Sequence, residues 1–219
     1  MHRLSSAAVL DLWDHGSALS PAGRGLAALS LAEATPPNPT PGHRDALLLD
    51  LYSATYGPVF DAIATCPRCG AALDVEIPVA ELILDPPTVS DQGLRTADGA
   101  VSFRLPDARD LAEVTAADEL FERCVGQAVA PAVRAEIERL MAEADPGAEL
   151  ELTLSCAACG HDWCDVLDPV AFFWAATTVR AGEVAGQVAL LARAYGWSEP
   201  DILSMTDRRR RLYLEAIDG

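Results

Sequence analysis

The chain has 219 residues, half of them apolar, which is enough for one sizeable core or a core with a small satellite and excludes a wholly disordered polypeptide. Its net charge of −17, with 16 arginines and no lysine, argues against non-specific binding to nucleic acid or anionic lipid, because phosphate binding needs a dense cationic surface. No stretch approaches the roughly 18 consecutive apolar residues of a membrane span.

Residues 1–12 lack the long apolar core and small-residue cleavage site of a signal peptide. The expected setting is therefore a reducing cytoplasm, where paired CxxC units usually signal metal rather than disulfides. Residues 4–34 read as two short helices broken around Gly16–Pro21, with Ser20 and Pro21 as cap and first-turn residue of the second. The proline-rich run 35–41 cannot be regular structure and reads as a stiff strap. Residues 42–65 read as helical, with Leu47, Leu48, Leu51, Tyr52 and Phe60 near helical spacing and a kink at Gly57-Pro58.

The pattern then switches. Cys66-Pro-Arg-Cys-Gly70 is a tight turn, and Leu73, Val75 and Ile77 alternate with Asp74 and Glu76 as in a strand. Residues 85–100 read as loop and 101–105 as a short strand, followed by helices near 107–113, 116–129 and 131–145. Leu150, Leu152 and Leu154 alternate into a second turn, Cys156-Ala-Ala-Cys-Gly160, and 161–167 return to complete a hairpin. Asp168 and Pro169 start a long helix reaching about Tyr195. Ser198 caps another start, and a last helix runs from about 206 to 217.

Cys66, Cys69, Cys156 and Cys159 therefore form two CxxCG units, each flanked by strands, as in the halves of a zinc ribbon. Four thiolates suit tetrahedral zinc, and a complete set leaves no open coordination position for catalysis. A redox pair is a poorer fit, since neither CxxC follows a strand into a helix N-terminus. His161 and Cys164 are close enough in sequence to substitute as ligands, but a turn histidine and a buried strand cysteine are the simpler reading. Cys124 reads as a helix-core cysteine. The expected class is α+β and mainly helical. Its parts are N-terminal helices and strap over 1–41, a helix plus split ribbon over 42–167 with an inserted lobe at 78–148, and a helical arm over 168–219.

Phosphate loops, dinucleotide fingerprints, nucleophile elbows and zinc-protease motifs are all missing, so neither an enzyme nor a small-molecule substrate is expected. Arg208, Arg209, Arg210 and Arg211 lie in the first turns of the last helix, where cations oppose the helix dipole. They read as a solvated face, or as a patch that binds an acidic protein surface or internal carboxylates.

Three groups of segments carry a resemblance. They are Gly42-His-Arg-Asp-Ala-Leu-Leu-Leu49 with Tyr56-Gly-Pro58 and the first cysteine turn; Asp145-Pro146 with 150–159; and 168–174 with Ala192–Leu203 and Arg208–Leu214. Together, over about 42–217, these resemble proteins encoded among the tail genes of contractile phages and related injection systems, and the C-terminal part is similar to the baseplate hub assembly family of T-even-type phages. The resemblance implies a non-enzymatic role in building or forming a baseplate, with baseplate or hub proteins as partners. Tyr195, Trp197, Arg208–Arg211 and Tyr213 are then the expected docking residues. A zinc-ribbon adaptor in another cytosolic complex, for example in transcription, is the alternative, and a redox or metal-dependent enzyme the third reading.

Overall fold

The computed structural model describes residues 2–85, 94–97, 99–114 and 116–218. Most of the loop expected at 85–100 lies outside the described residues. The chain opens with three helices, α1 (Ser6–Gly16), α2 (Pro21–Leu31) and α3 (Pro41–Thr55). Each start has a chemical cause: Ser5, Ser20 and Thr40 accept the amides of Ala8, Gly23 and His43, and proline opens α2 and α3. The helix expected across 42–65 is two elements. It ends at Thr55, and Val59–Thr65 is a strand, β1, paired antiparallel with β2 (Ala72–Pro78).

The reason is local. Gly57 adopts φ +136 and Pro58 cannot continue a helix, after which Val59, Ile63 and Thr65 favour extended backbone. Phe60 lies eight residues after Tyr52, a spacing that fits both a helix and a strand, so its periodicity misled.

Residues 79–148 continue as β3 (Leu94–Arg95) and β4 (Ser102–Phe103), which pair with each other, then α4 (Ala108–Glu113), α5 (Ala117–Val125) and α6 (Pro131–Ala144). The strand expected at 101–105 is thus only the short β4. This stretch has its own cluster of Phe103, Phe121, Val125 and Ile137. Hydrogen bonds between distant residues tie it back to the strap and to α3. The Ala108 amide donates to the Pro39 carbonyl of the strap at 3.0 Å, and the Gly42 amide donates to the Asp145 carboxylate.

The second hairpin, β5 (Leu150–Ser155) with β6 (Asp162–Leu167), leads into α7 (Pro169–Tyr195), whose first turn is capped by Asp168. Two short helices finish the chain, α8 (Glu199–Leu203) and α9 (Asp207–Asp218). The main core joins α1, α2, α3 and α7 through Val9, Leu12, Leu29, Leu48, Leu51 and Phe173. Close approach there requires Gly25, where a Cβ would lie 3.1 Å from Leu48 and 3.3 Å from Val170. A second cluster sits at the base of both hairpins. It holds Phe60 and Leu167 from the strands, with Leu49, Val79 and Leu150. No described helix is long and apolar enough to cross a membrane.

Candidate metal centre

The two hairpins present their turns by one construction. At the end of β1 the Cys66 amide donates to Ala71 O, and the Gly70 amide to Cys66 O, both at 2.9 Å. At the end of β5 the Cys156 amide donates to His161 O at 2.9 Å, and the Gly160 amide to Cys156 O at 2.8 Å. Gly70 and Gly160 hold φ of +74 and +66, the left-handed conformation that favours glycine.

The equivalence extends beyond the turns. Phe60 pairs with Ile77 and Leu150 with Leu167, at the same positions relative to each turn, and all four side chains meet in the cluster at the hairpin bases. The sequence displays only the cysteine turns of this repeat, because hydrophobic identity differs at most other positions while strand register is the same.

The Sγ atoms of Cys66, Cys69, Cys156 and Cys159 all lie within 4.8 Å of one another. Cys66 and Cys159 are 3.8 Å apart, and Cys69 and Cys156 3.7 Å. A tetrahedron with metal–sulfur bonds of about 2.3 Å has edges of about 3.8 Å, so the donor set fits a thiolate-bound ion. A disulfide needs about 2.05 Å between sulfurs, far less than these contacts.

The electrostatics also ask for a cation. Burial opposes ionisation of Cys66, but backbone amides of Cys69 and Arg68 and the neighbouring thiols bring its pKa down to about 6. The His161 amide favours the Cys159 thiolate, yet burial and the surrounding sulfurs push that thiol up to about 12. Four sulfurs at these distances cannot all be anionic unless a positive ion sits among them.

Neither His161 nor Cys164 belongs to this group. The His161 ring stacks on Trp163 at 6.2 Å. Cys164 is exposed rather than buried, and it faces Thr153 across the hairpin. Cys124 is buried in α5, where burial pushes its thiol up to about 11.

The C-terminal residues singled out by sequence form a second assembly, remote in the chain from the thiols. Tyr195 stacks on Trp197 at 4.5 Å, Tyr213 meets Trp197 edge-on at 4.8 Å, and Arg209 lies over Tyr213 at 5.8 Å. Arg208, Arg209 and Arg211 are exposed, but Arg210 is only 1% exposed. Its guanidinium donates to Asp207, to Ser6 Oγ, to Met205 O at 2.7 Å and to Gln187 at 3.3 Å. Asp207 also binds Arg180 at 3.0 Å. This network was not legible in the sequence, because a run of four arginines does not reveal which one turns inward.

Residues 31–132 match the family model described as T4 bacteriophage base plate protein. The matched stretch, a little under half of the chain, runs from the end of α2 into α6 and contains Cys66 and Cys69 but not the second pair. The Tyr195–Tyr213 segment, which holds the expected docking residues, lies outside it. No curated protein and no solved structure matches the chain.

Proposed function

We propose that this chain is a non-enzymatic structural component or assembly factor of a contractile-phage-type baseplate, held together by one structural zinc ion. The observation that carries the reading is the family match over residues 31–132, which covers the proline-rich strap, the helix α3 and the first hairpin. Zinc is the ion favoured by four thiolates at tetrahedral edge distances, and it would be bound by Cys66, Cys69, Cys156 and Cys159 with no position left for water. When bound, it joins two hairpins that are far apart in sequence and so fixes α3 relative to α7.

In this reading the arm is the surface offered to a baseplate or hub protein during assembly in the cytoplasm. Tyr195, Trp197 and Tyr213 form its aromatic corner, and Arg208, Arg209 and Arg211 project outward beside the exposed Leu212. Arg210 has the different task of setting the pose of α9.

The test is deletion of the gene in its native host, with electron microscopy of the tail-like particles. Loss of sheath-bearing particles is the expected result, with rescue by the intact chain and co-purification of hub protein with it. Normal particles in normal number would overturn the proposal.

A further inference from the structure

The seam between α1 and α7, beside the main core, holds a feature that the aromatic corner, the arginine run and the thiol cluster leave unused. A groove of about 400 Å³ runs between α1 and α7. Leu10, Trp13 and Val188 line it, together with the small residues Ala185 and Ala189. Trp13 is 42% exposed, so a large apolar ring is left open to solvent on this wall. Just beside it, Gly182 and Gly186 stand on the outer face of α7, and a Cβ added at either would meet nothing within 4 Å. Leu190, 55% exposed, extends the apolar surface along the helix.

The rim has the opposite chemistry. Asp11, Asp14 and Glu199 border the groove. Among the described residues, none of these three carboxylates takes part in an ion pair, although acidic groups elsewhere in the chain are paired with arginines.

We propose that this groove receives an amphipathic helix of a partner protein, one whose apolar stripe is flanked by arginine or lysine. A helix is favoured because the Ala–Gly wall of α7 allows a third backbone to approach to the 8–10 Å of ordinary helix packing. Basic flanks are favoured because three unpaired carboxylates on the rim gain partners only from cations. A second copy of this chain is disfavoured, since each copy carries a net charge of −17. The proposal stands apart from the baseplate reading and from the docking residues Tyr195, Trp197, Arg208–Arg211 and Tyr213: Arg180 and Gln187 of α7 face α9, whereas Ala185, Val188 and Ala189 face the groove.

The test uses the full metal-loaded chain and a fluorescein-labelled synthetic helical peptide with leucines at every third or fourth position and arginines on both flanks. Binding is followed by anisotropy, with a glutamate-flanked peptide as comparison. Ala189→Arg, at an exposed position that leaves the core intact, is expected to raise Kd at least about tenfold, and Asp11→Asn with Asp14→Asn several-fold. Glu119→Gln with Glu122→Gln, remote on α5, is expected to leave Kd unchanged, and the glutamate-flanked peptide is expected not to bind. Equal weakening by the remote pair would mean general attraction to an acidic protein and would overturn the proposal. So would unchanged binding in Ala189→Arg. Sedimentation of the unliganded chain provides the third arm: a dimer abolished by Ala189→Arg would make a second copy the occupant and overturn the proposed partner.

Discussion

The backbone amide of Gly42 donates to the carboxylate of Asp145 at 3.0 Å across 103 positions of sequence, and both groups are buried. Gly42 lies in the first turn of α3 and Asp145 closes α6, so this bond ties the end of the stretch 79–148 to the helix that precedes the first hairpin. The approach leaves no room for a side chain: a Cβ on Gly42 would lie 2.1 Å from Asp145 Oδ1 and 2.7 Å from the Gly147 carbonyl carbon. Gly42→Ala must therefore move backbone or break the bond, and is expected to destabilise the chain by about 2–4 kcal/mol. Asp145→Ala, which leaves the amide buried and unpaired, is expected to cost about 1–3 kcal/mol. Urea unfolding of the two variants and the double variant checks both values, and the double is expected to cost less than the sum because the residues share one contact.

Metal content provides a second prediction. The purified chain is expected to hold one zinc ion per molecule by elemental mass spectrometry, and chelation is expected to lower its thermal midpoint steeply. Structural zinc in small peptides contributes on the order of 10–16 kcal/mol, which is comparable to the whole stability of about 5–15 kcal/mol of an ordinary domain. Cys66→Ser and Cys156→Ser are expected to lose the ion, while Cys164→Ser retains it, because Cys164 lies outside the sulfur group.

The arginine run separates into two behaviours. Arg210→Ala removes a buried cation together with its bonds to Asp207, Ser6, Met205 and Gln187, while Asp207 keeps Arg180 and Ser6, so the expected cost is about 1.5–3 kcal/mol. Among the described residues no apolar side chain of α9 is buried, so the helix has little else to hold it beyond the Tyr195–Trp197–Tyr213 corner. Faster hydrogen exchange confined to α9 is the expected signature. Arg208→Ala, Arg209→Ala and Arg211→Ala are each expected to change stability by no more than about 0.5 kcal/mol, as solvated positions do. Under the proposed function, these three substitutions are expected to weaken partner binding instead.

Acid sensitivity is predicted to come from Asp110. Its bidentate bond to Arg104, at 2.5 and 2.8 Å, holds its pKa below the ordinary 3.8. The folded value lies under the unfolded one, so this stabilisation is complete above pH 3.8 and is lost as pH falls through the depressed pKa. Asp45 behaves in the opposite sense: burial raises its pKa despite the Arg44 partner, so its contribution declines as pH rises from 3.8 through the folded value. Stability measured against pH is expected to lose part of its steep acid limb in Asp110→Asn, and to lose its decline above pH 3.8 in Asp45→Asn.

Several elements were readable because their causes are local. Ser20-Pro21, Asp168-Pro169 and Ser198-Glu-Pro are cap and first-turn chemistry, and each marks the start of a helix within one residue. The break at Gly57-Pro58 was equally visible, but the strand beyond it was not. β1 is a strand because Ala72–Pro78 pairs with it and because Phe60 is buried at the hairpin base, and both facts involve residues outside the local window.

By itself the sequence singled out the four thiols that the fold brings together, since CxxCG turns between alternating apolar residues are short-range patterns. It also determined the acidic character of the surface and most helix starts. The tertiary structure alone decided that the two hairpins are copies in register, that Gly42 meets Asp145, and that Arg210, rather than its three neighbours, turns inward to Ser6 and Asp207. Each of these depends on which distant surface arrives at a residue, and burial converts that arrival into large energies: a buried guanidinium must be paired, and a buried amide must have an acceptor.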